Sequence, residues 1–142
     1  MEVLVDTSVW SLALRRRPRD LNQQERLLVE ELEELIKPGR AAIIGIIRQE
    51  LLSGIKSHAQ FEQLRKTLGA FRDELVDTSD HEAAAMAGNV CRGKGIAVSV
   101  VDMLICAVAQ RRGIAIFTTD PDFEHYAHVL PVKLHPVTGK KV

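Results

Sequence analysis

The stretch VLVDTSVW, residues 3–10, passes from a short apolar run into a helix start, with one acid, Asp6, at the junction. An apolar run of this kind, with no polar alternation, reads as a strand buried on both faces, as in parallel sheets. Asp6 then stands at the carboxyl end of that strand. Taken alone it reads as a helix cap, its side chain accepting from a free N–H of the first turn. In an open α/β sheet, however, the carboxyl ends of the strands also border the functional crevice. Which role applies depends on whether other acids share the position.

Outward from this stretch the chain alternates strand and helix. EVLVD predicts a strand and SVWSLALRR a helix. A second helix over 22–36 sets Leu27, Leu28, Leu32, Leu35 and Ile36 on one face and stops at Lys37-Pro38-Gly39. RAAIIG (40–45) reads as a second buried strand leading into the helix IIRQELLSG, and another helix is expected near 58–73. LVDT (75–78) is a predicted third strand, and Ser79 with Glu82 makes a capping box before an Ala-rich helix that ends at Gly93 or Gly95. VVDMLICAVAQRRG is a helix apolar nearly all round; AIFTT, DPDFEHYA and LPVKL then predict strand, short helix and last strand. The expected fold is a single α/β/α sandwich over residues 1–142, with a mostly parallel sheet covered by helices on both faces.

Composition agrees with one globular domain: 142 residues, 46% hydrophobic and 27% charged, without repeats or low-complexity linkers. Nineteen basic residues balance nineteen acidic ones, so any attraction to a polyanion must be local. Cys91 and Cys106 lack CxxC spacing and read as core thiols. No apolar run approaches the roughly 20 residues of a membrane span, and MEVLVD lacks the basic start of a signal peptide, so a cytoplasmic location is expected.

Three further acids repeat the placement of Asp6 or approach it. Asp120 follows AIFTT as Asp6 follows EVLV, with Asp122 two residues on. As caps, Asp120 would sit at the N-cap, Pro121 at the first helical position and Asp122 in the first turn. Asp102 opens its helix three residues after Ser99, itself a capping-box spacing.

Glu50 is harder to explain as a cap. At about 100° per residue from Ile46, Glu50 falls near 40°, between Ile46 at zero and Ile47 near 100°, with Leu51 and Ile55 near 140° and 180°. A carboxylate on that apolar arc requires a partner, either a cation or a metal. Its helix follows directly on a strand, so Glu50 lies one turn past that strand's carboxyl end and is able to face the same crevice.

Asp6, Glu50, Asp102 and Asp120, with Asp122 as a fifth, can thus be placed around one rim. Two unit charges about 4 Å apart repel by about 4 kcal/mol at an effective dielectric of 20, so such a group calls for a divalent cation. All-oxygen ligation suits Mg²⁺ or Mn²⁺, with substrate phosphate oxygens completing the shell. That equipment serves metal-assisted phosphodiester hydrolysis. No Ser/His/Asp set, P-loop or GxGxxG competes for the role.

In order along the chain, VDTSVW, the Glu of IIRQELLSG, the Asp of SVVDMLICAVA and TTDPDF resemble the acidic motifs of the PIN domain, in its VapC toxin branch. The resemblance runs from Asp6 to Phe123. It implies a Mg²⁺- or Mn²⁺-dependent ribonuclease, usually a homodimer, held inactive by a cognate antitoxin protein. Carried over by position, Asp6 and Asp102 are the principal metal ligands, Glu50 and Asp120 complete the acidic pocket, and Asp122 binds a second ion or water. Ser8 and Thr118 match the small hydroxyl residues that orient water or carboxylates. Between Glu50 and Asp102 the chain matches only in being helical and amphipathic.

Other features have plainer readings. Arg15, Arg16, Arg17 and Arg19 either complement a helix end or gather RNA phosphates or an acidic antitoxin segment. Arg111 and Arg112 fit a helix end. His125 and His128 are expected at the surface or in packing, and Trp10 and Phe123 in the core. The apolar face of the 22–36 helix either covers the sheet or receives a partner. A phosphatase or phosphotransfer domain is the weaker alternative, since Ser8 stands where a second acid belongs and Gly45 where a phosphoacceptor Asp belongs. A non-catalytic PIN-like interaction module is the other.

Overall fold

A computed structural model of the protein describes residues 1–137. Its centre is a three-stranded parallel sheet in the order β2-β1-β3, formed by β1 (Val3–Val5), β2 (Ala41–Ala42) and β3 (Ala115–Phe117). Val3 and Leu4 pair with Ala41 and Ala42 on one side, and Val3, Leu4 and Val5 with Ala115, Ile116 and Phe117 on the other. All three residues of β1 are buried, as the central strand of a sheet covered on both faces must be.

Between β1 and β2 lie α1 (Thr7–Leu14), a 3₁₀ turn (Pro18–Asp20) and α2 (Gln23–Ile36). From β2 to β3 the chain runs through α3 (Gly45–Leu52), α4 (His58–Leu68), α5 (Thr78–Gly93) and α6 (Val100–Arg112); α7 (Asp122–Val129) follows β3. The two crossovers leave β1 and β2 in opposite directions, and right-handed crossovers of opposite direction lay their helices on opposite faces. Within the crossovers α1 packs on α2 and α5 on α6; α3, at the start of the second crossover, also meets α1, and α7 packs on α5. The expected α/β sandwich is what forms.

Several element boundaries differ from expectation. LVDT makes no strand: the parallel bridge near it pairs Ile43 with Asp73, two residues before Leu75, and Asp77 is the N-cap of α5. The capping box is Asp77 with Asp80, whose side chains each accept the other's N–H at 2.9 Å, in place of Ser79 with Glu82. That register turns Asp80 inward, where Arg112 and Arg111 meet it. The helix near 58–73 stops at Leu68 because Arg48 binds Leu68 O, Phe71 O and Asp73, holding the next segment off the helical path. RAAIIG narrows to two paired residues, with Ile44 already capping α3. LPVKL contributes a single bridge, Ile116 to Leu134, flanked by Ile116 N–H to Lys133 O and His135 N–H to Ile116 O. Pro131 has no N–H to extend that ladder.

Leu28, Leu32 and Leu35 of α2 are buried in the chain's own core, which settles that apolar face as a cover. Trp10 is fully buried, donates Nε1–H to Val5 O at 3.0 Å and packs against Phe71. Phe123 is likewise enclosed, and Cys91 and Cys106 are buried free thiols. Among the described residues no helix is long and apolar enough to cross a membrane.

Candidate active site

The N–H of Asp6 donates to Phe117 O at 2.8 Å, one step past the last paired rung of β1 and β3, which sets Asp6 against Thr118 at the sheet's carboxyl edge. Asp6 occupies the N-cap position of α1 but makes no side-chain cap bond. Its Oδ2 instead accepts from Ser8 Oγ and Thr118 Oγ1, each at 2.8 Å. The same two hydroxyls accept backbone N–H groups from Thr119 at 3.1 Å and Asp120 at 3.0 Å. Ser8 and Thr118 therefore orient both the carboxylate and the loop carrying the next acid.

Glu50 projects from α3 towards the start of α1, where Thr7 Oγ1 donates to its Oε1 at 2.6 Å. It is half-buried rather than enclosed among isoleucines, because Ile47 and Leu51 take the fully buried positions of the helix. Asp102 lies in the first turn of α6, its N–H capped by Ser99 Oγ at 3.0 Å. Its own carboxylate accepts from Tyr126 Oη at 2.8 Å. Asp120 Oδ1 accepts the N–H of Asp122 at 2.9 Å, so Asp120 does organise the entry to α7.

Asp102, Asp120 and Asp122 offer ligand atoms that all lie within 4.8 Å of one another. Asp6 and Glu50 stand outside that tightest group, Asp6 held by two hydroxyls and Glu50 by one. Burial raises the Asp102 carboxyl above the ordinary carboxylate range, and the charges of Asp6 and Asp120 push the same way, against the Tyr126 bond. One helical turn on, burial and then the Asp102 charge lift the Cys106 thiol to about 12. The site carries a negative potential that reaches into the core.

Among the described residues none of the five acids forms an ion pair, whereas the buried Asp80 is met by two arginines. Hydroxyls and backbone N–H groups orient the site acids without neutralising them. An all-carboxylate donor set with no thiol or imidazole fits a hard divalent cation that takes oxygen ligands. His125 and His128 are exposed and outside the group. Of the basic run, Arg16 reaches Glu25 and Arg17 reaches Asp20, both at the surface, while Arg15 and Arg19 have no partner among the described residues.

Two residues were not singled out from the sequence, Thr7 and Tyr126. Tyr126 left a signal: it is the single tyrosine, four residues after Asp122 and so on the same helix face, and a buried phenol needs a hydrogen-bond partner. Thr7 left none, since its partner comes from another element.

The PIN domain model matches residues 3–129. Ribonuclease VapC11 of Mycobacterium tuberculosis H37Rv is 31% identical over 131 residues, covering 89% of this chain and 92% of its own length. Two solved structures share the fold. FitAcB from Neisseria gonorrhoeae has a TM-score of 0.74 at 21% identity, covering 94% of this chain and 96% of that one. VapBC-5 from Mycobacterium tuberculosis, a member of the VapBC family of toxin-antitoxin systems, has a TM-score of 0.67 at 22% identity over 96% and 98%. With acids gathered at the carboxyl edge of a 2-1-3 parallel sheet and a family match across nearly the whole described chain, this protein belongs to the PIN domain family.

Proposed function

We propose that this chain is a ribonuclease dependent on Mg²⁺ or Mn²⁺, the toxin of a toxin–antitoxin pair, acting as a single domain in the cytoplasm. The observation that carries the reading is the convergence of Asp102, Asp120 and Asp122 within 4.8 Å, with no cationic side chain among the described residues to neutralise them. Asp102 and Asp6 are the principal ligands, Asp120 and Glu50 complete the pocket, and Asp122 takes a second ion or an ordered water. When bound, the ion lowers the pKa of water and stabilises charge on phosphate oxygens. Ser8, Thr118 and Thr7 hold the carboxylates in place, as outer partners of metal ligands do.

Two hollows flank the acids and support a polymeric substrate. One of about 320 Å³ is bordered by Ile96, Asp122 and His125, and one of about 300 Å³ by Thr119, Asp120 and Pro121. A nucleotide on either side of the scissile phosphate has room there, and exposed His125 offers a ring on which a single-stranded base stacks. Arg15 and Arg19, without partners among the described residues, supply phosphate contacts or meet an acidic antitoxin segment. Ribonuclease activity is supported by the name of ribonuclease VapC11, and a protein partner by the toxin-antitoxin family of VapBC-5. Exposed Leu75 and Val100, at 83% and 82%, border an apolar hollow of about 650 Å³ and form the surface for a second copy.

The test is cleavage of a mixed RNA by the parent, Asp6→Asn and Asp102→Asn, with EDTA, Mg²⁺ or Mn²⁺, alongside thermal unfolding. Metal-dependent cleavage lost in folded variants supports the reading. A metal-induced rise in melting temperature without cleavage points to a non-catalytic interaction module, and neither effect removes the metal site.

A further inference from the structure

The proposed ligands differ in what orients them. Asp6 is held by two aliphatic hydroxyls and Glu50 by one, all from residues next to or near strand ends. Asp102 is held by a phenol, Tyr126, which reaches it from α7 across 24 residues of chain. That phenol is only 2% exposed, and its ring meets Phe123 edge-on at 5.2 Å and 77°. A hydroxyl on such a ring has little freedom to follow a moving carboxylate, unlike the rotors of Ser8 or Thr118. α7 also carries Asp122 one turn before Tyr126, so a single rigid helix presents one ligand and the group that orients another.

The bond uses one carboxylate oxygen, Oδ2. An oxygen engaged by a phenol is a poorer metal donor than its free neighbour, so the carboxylate is biased towards ligation through the other oxygen alone. This matters for ion choice. Ca²⁺ takes six to eight oxygens in flexible arrangements that often include two-oxygen carboxylates, whereas Mg²⁺ demands near-octahedral geometry and keeps several waters. We infer that Tyr126 is a positioning residue that restricts Asp102 to one-oxygen ligation and so favours Mg²⁺ and Mn²⁺ over Ca²⁺. The inference rests on the metal-site reading above and adds to it a determinant of ion selectivity in this chain's α7.

The experiment is Mn²⁺ binding to the full chain, read by the electron paramagnetic resonance of free Mn²⁺ with Ca²⁺ as competitor. It is run on the parent, Tyr126→Phe and Phe123→Leu. Tyr126→Phe keeps the ring and its packing and removes only the hydroxyl. It should melt near the parent in EDTA, bind Mn²⁺ about tenfold more weakly, and shift the Ca²⁺-to-Mn²⁺ preference towards Ca²⁺. Phe123→Leu removes the edge-on ring that steadies the phenol, and should lower the melting temperature and move the ion preference part of the way in the direction of Tyr126→Phe. A Tyr126→Phe protein with the parent's ion preference overturns the inference and leaves the metal site standing. So does one that no longer folds, because the hydroxyl would then be a structural requirement. A parent that binds no Mn²⁺ overturns the inference together with the metal-site reading.

Discussion

Thr118 Oγ1 donates to Asp6 Oδ2 at 2.8 Å, joining the ends of β3 and β1 across 112 residues of sequence. Ser8 Oγ reaches the same oxygen from the turn that follows β1. Oδ2 thus has both of its acceptor positions engaged, and Oδ1 is left as the better donor for an ion or water.

Thr118→Val removes one of those donors at nearly constant shape, and also the acceptor for the Asp120 N–H. It should cost about 10- to 100-fold in Mn²⁺ affinity and in RNA cleavage with little change in melting temperature. Calorimetric titration and a cleavage time course check this; unchanged affinity would reduce Thr118 to a loop-forming residue.

Thr7 and Glu50 should be coupled. In a double-mutant cycle built from Thr7→Val and Glu50→Gln, a hydrogen bond to a charged, half-buried acceptor is expected to contribute about 1.5 kcal/mol of interaction energy. Urea unfolding of the four proteins in EDTA measures it. A coupling near zero would mean that the 2.6 Å contact is not maintained in solution.

Asp122→Asn removes an exposed charge from the group that includes Asp102 and Asp120. In EDTA the variant should melt above the parent, because repulsion is relieved. In saturating Mn²⁺ it should lose much of the ligand-linked gain, which at 100 times the Kd is about 2.7 kcal/mol for the parent. Scanning calorimetry with and without metal gives both numbers, and a variant that melts below the parent in EDTA would contradict the repulsion.

The opposite electrostatic design operates at Asp80. Arg112 bonds both of its carboxylate oxygens, at 2.7 and 2.8 Å, and Arg111 adds a contact at 2.9 Å, tying the start of α5 to the end of α6. The Arg112 bond, assisted by Asp77, holds the Asp80 carboxyl well below its ordinary range despite burial. A depressed folded pKa contributes stability that is fully present above the unfolded value of about 3.9 and is lost as pH falls below it. Asp80→Asn should therefore cost about 3 kcal/mol at neutral pH and show a flatter loss of stability in acid than the parent. Urea unfolding between neutral pH and about pH 2 would reveal equal acid slopes if the ion pair were not responsible.

From sequence alone, the alternation of short apolar runs with amphipathic segments determined the α/β sandwich and the parallel sheet, because strands this apolar must be covered on both faces. The motif order around Asp6, Glu50, Asp102 and Asp120 likewise determined membership of the PIN domain family. Where two local patterns competed, sequence could not arbitrate. Ser79 with Glu82 has the capping spacing, yet the box forms at Asp77 with Asp80, where the arginines of α6 meet Asp80. LVDT and LPVKL have strand composition, yet strand formation needs a neighbour with free backbone groups in register, a property of the whole sheet. The tertiary structure alone decided that the Asp6 side chain makes no cap bond, that Asp122 lies with Asp102 and Asp120, and that Thr7 and Tyr126 bond Glu50 and Asp102. Backbone periodicity assigns a residue to a face, but a hydrogen bond between side chains 24 or 43 residues apart depends on how whole elements pack, and no local pattern encodes that.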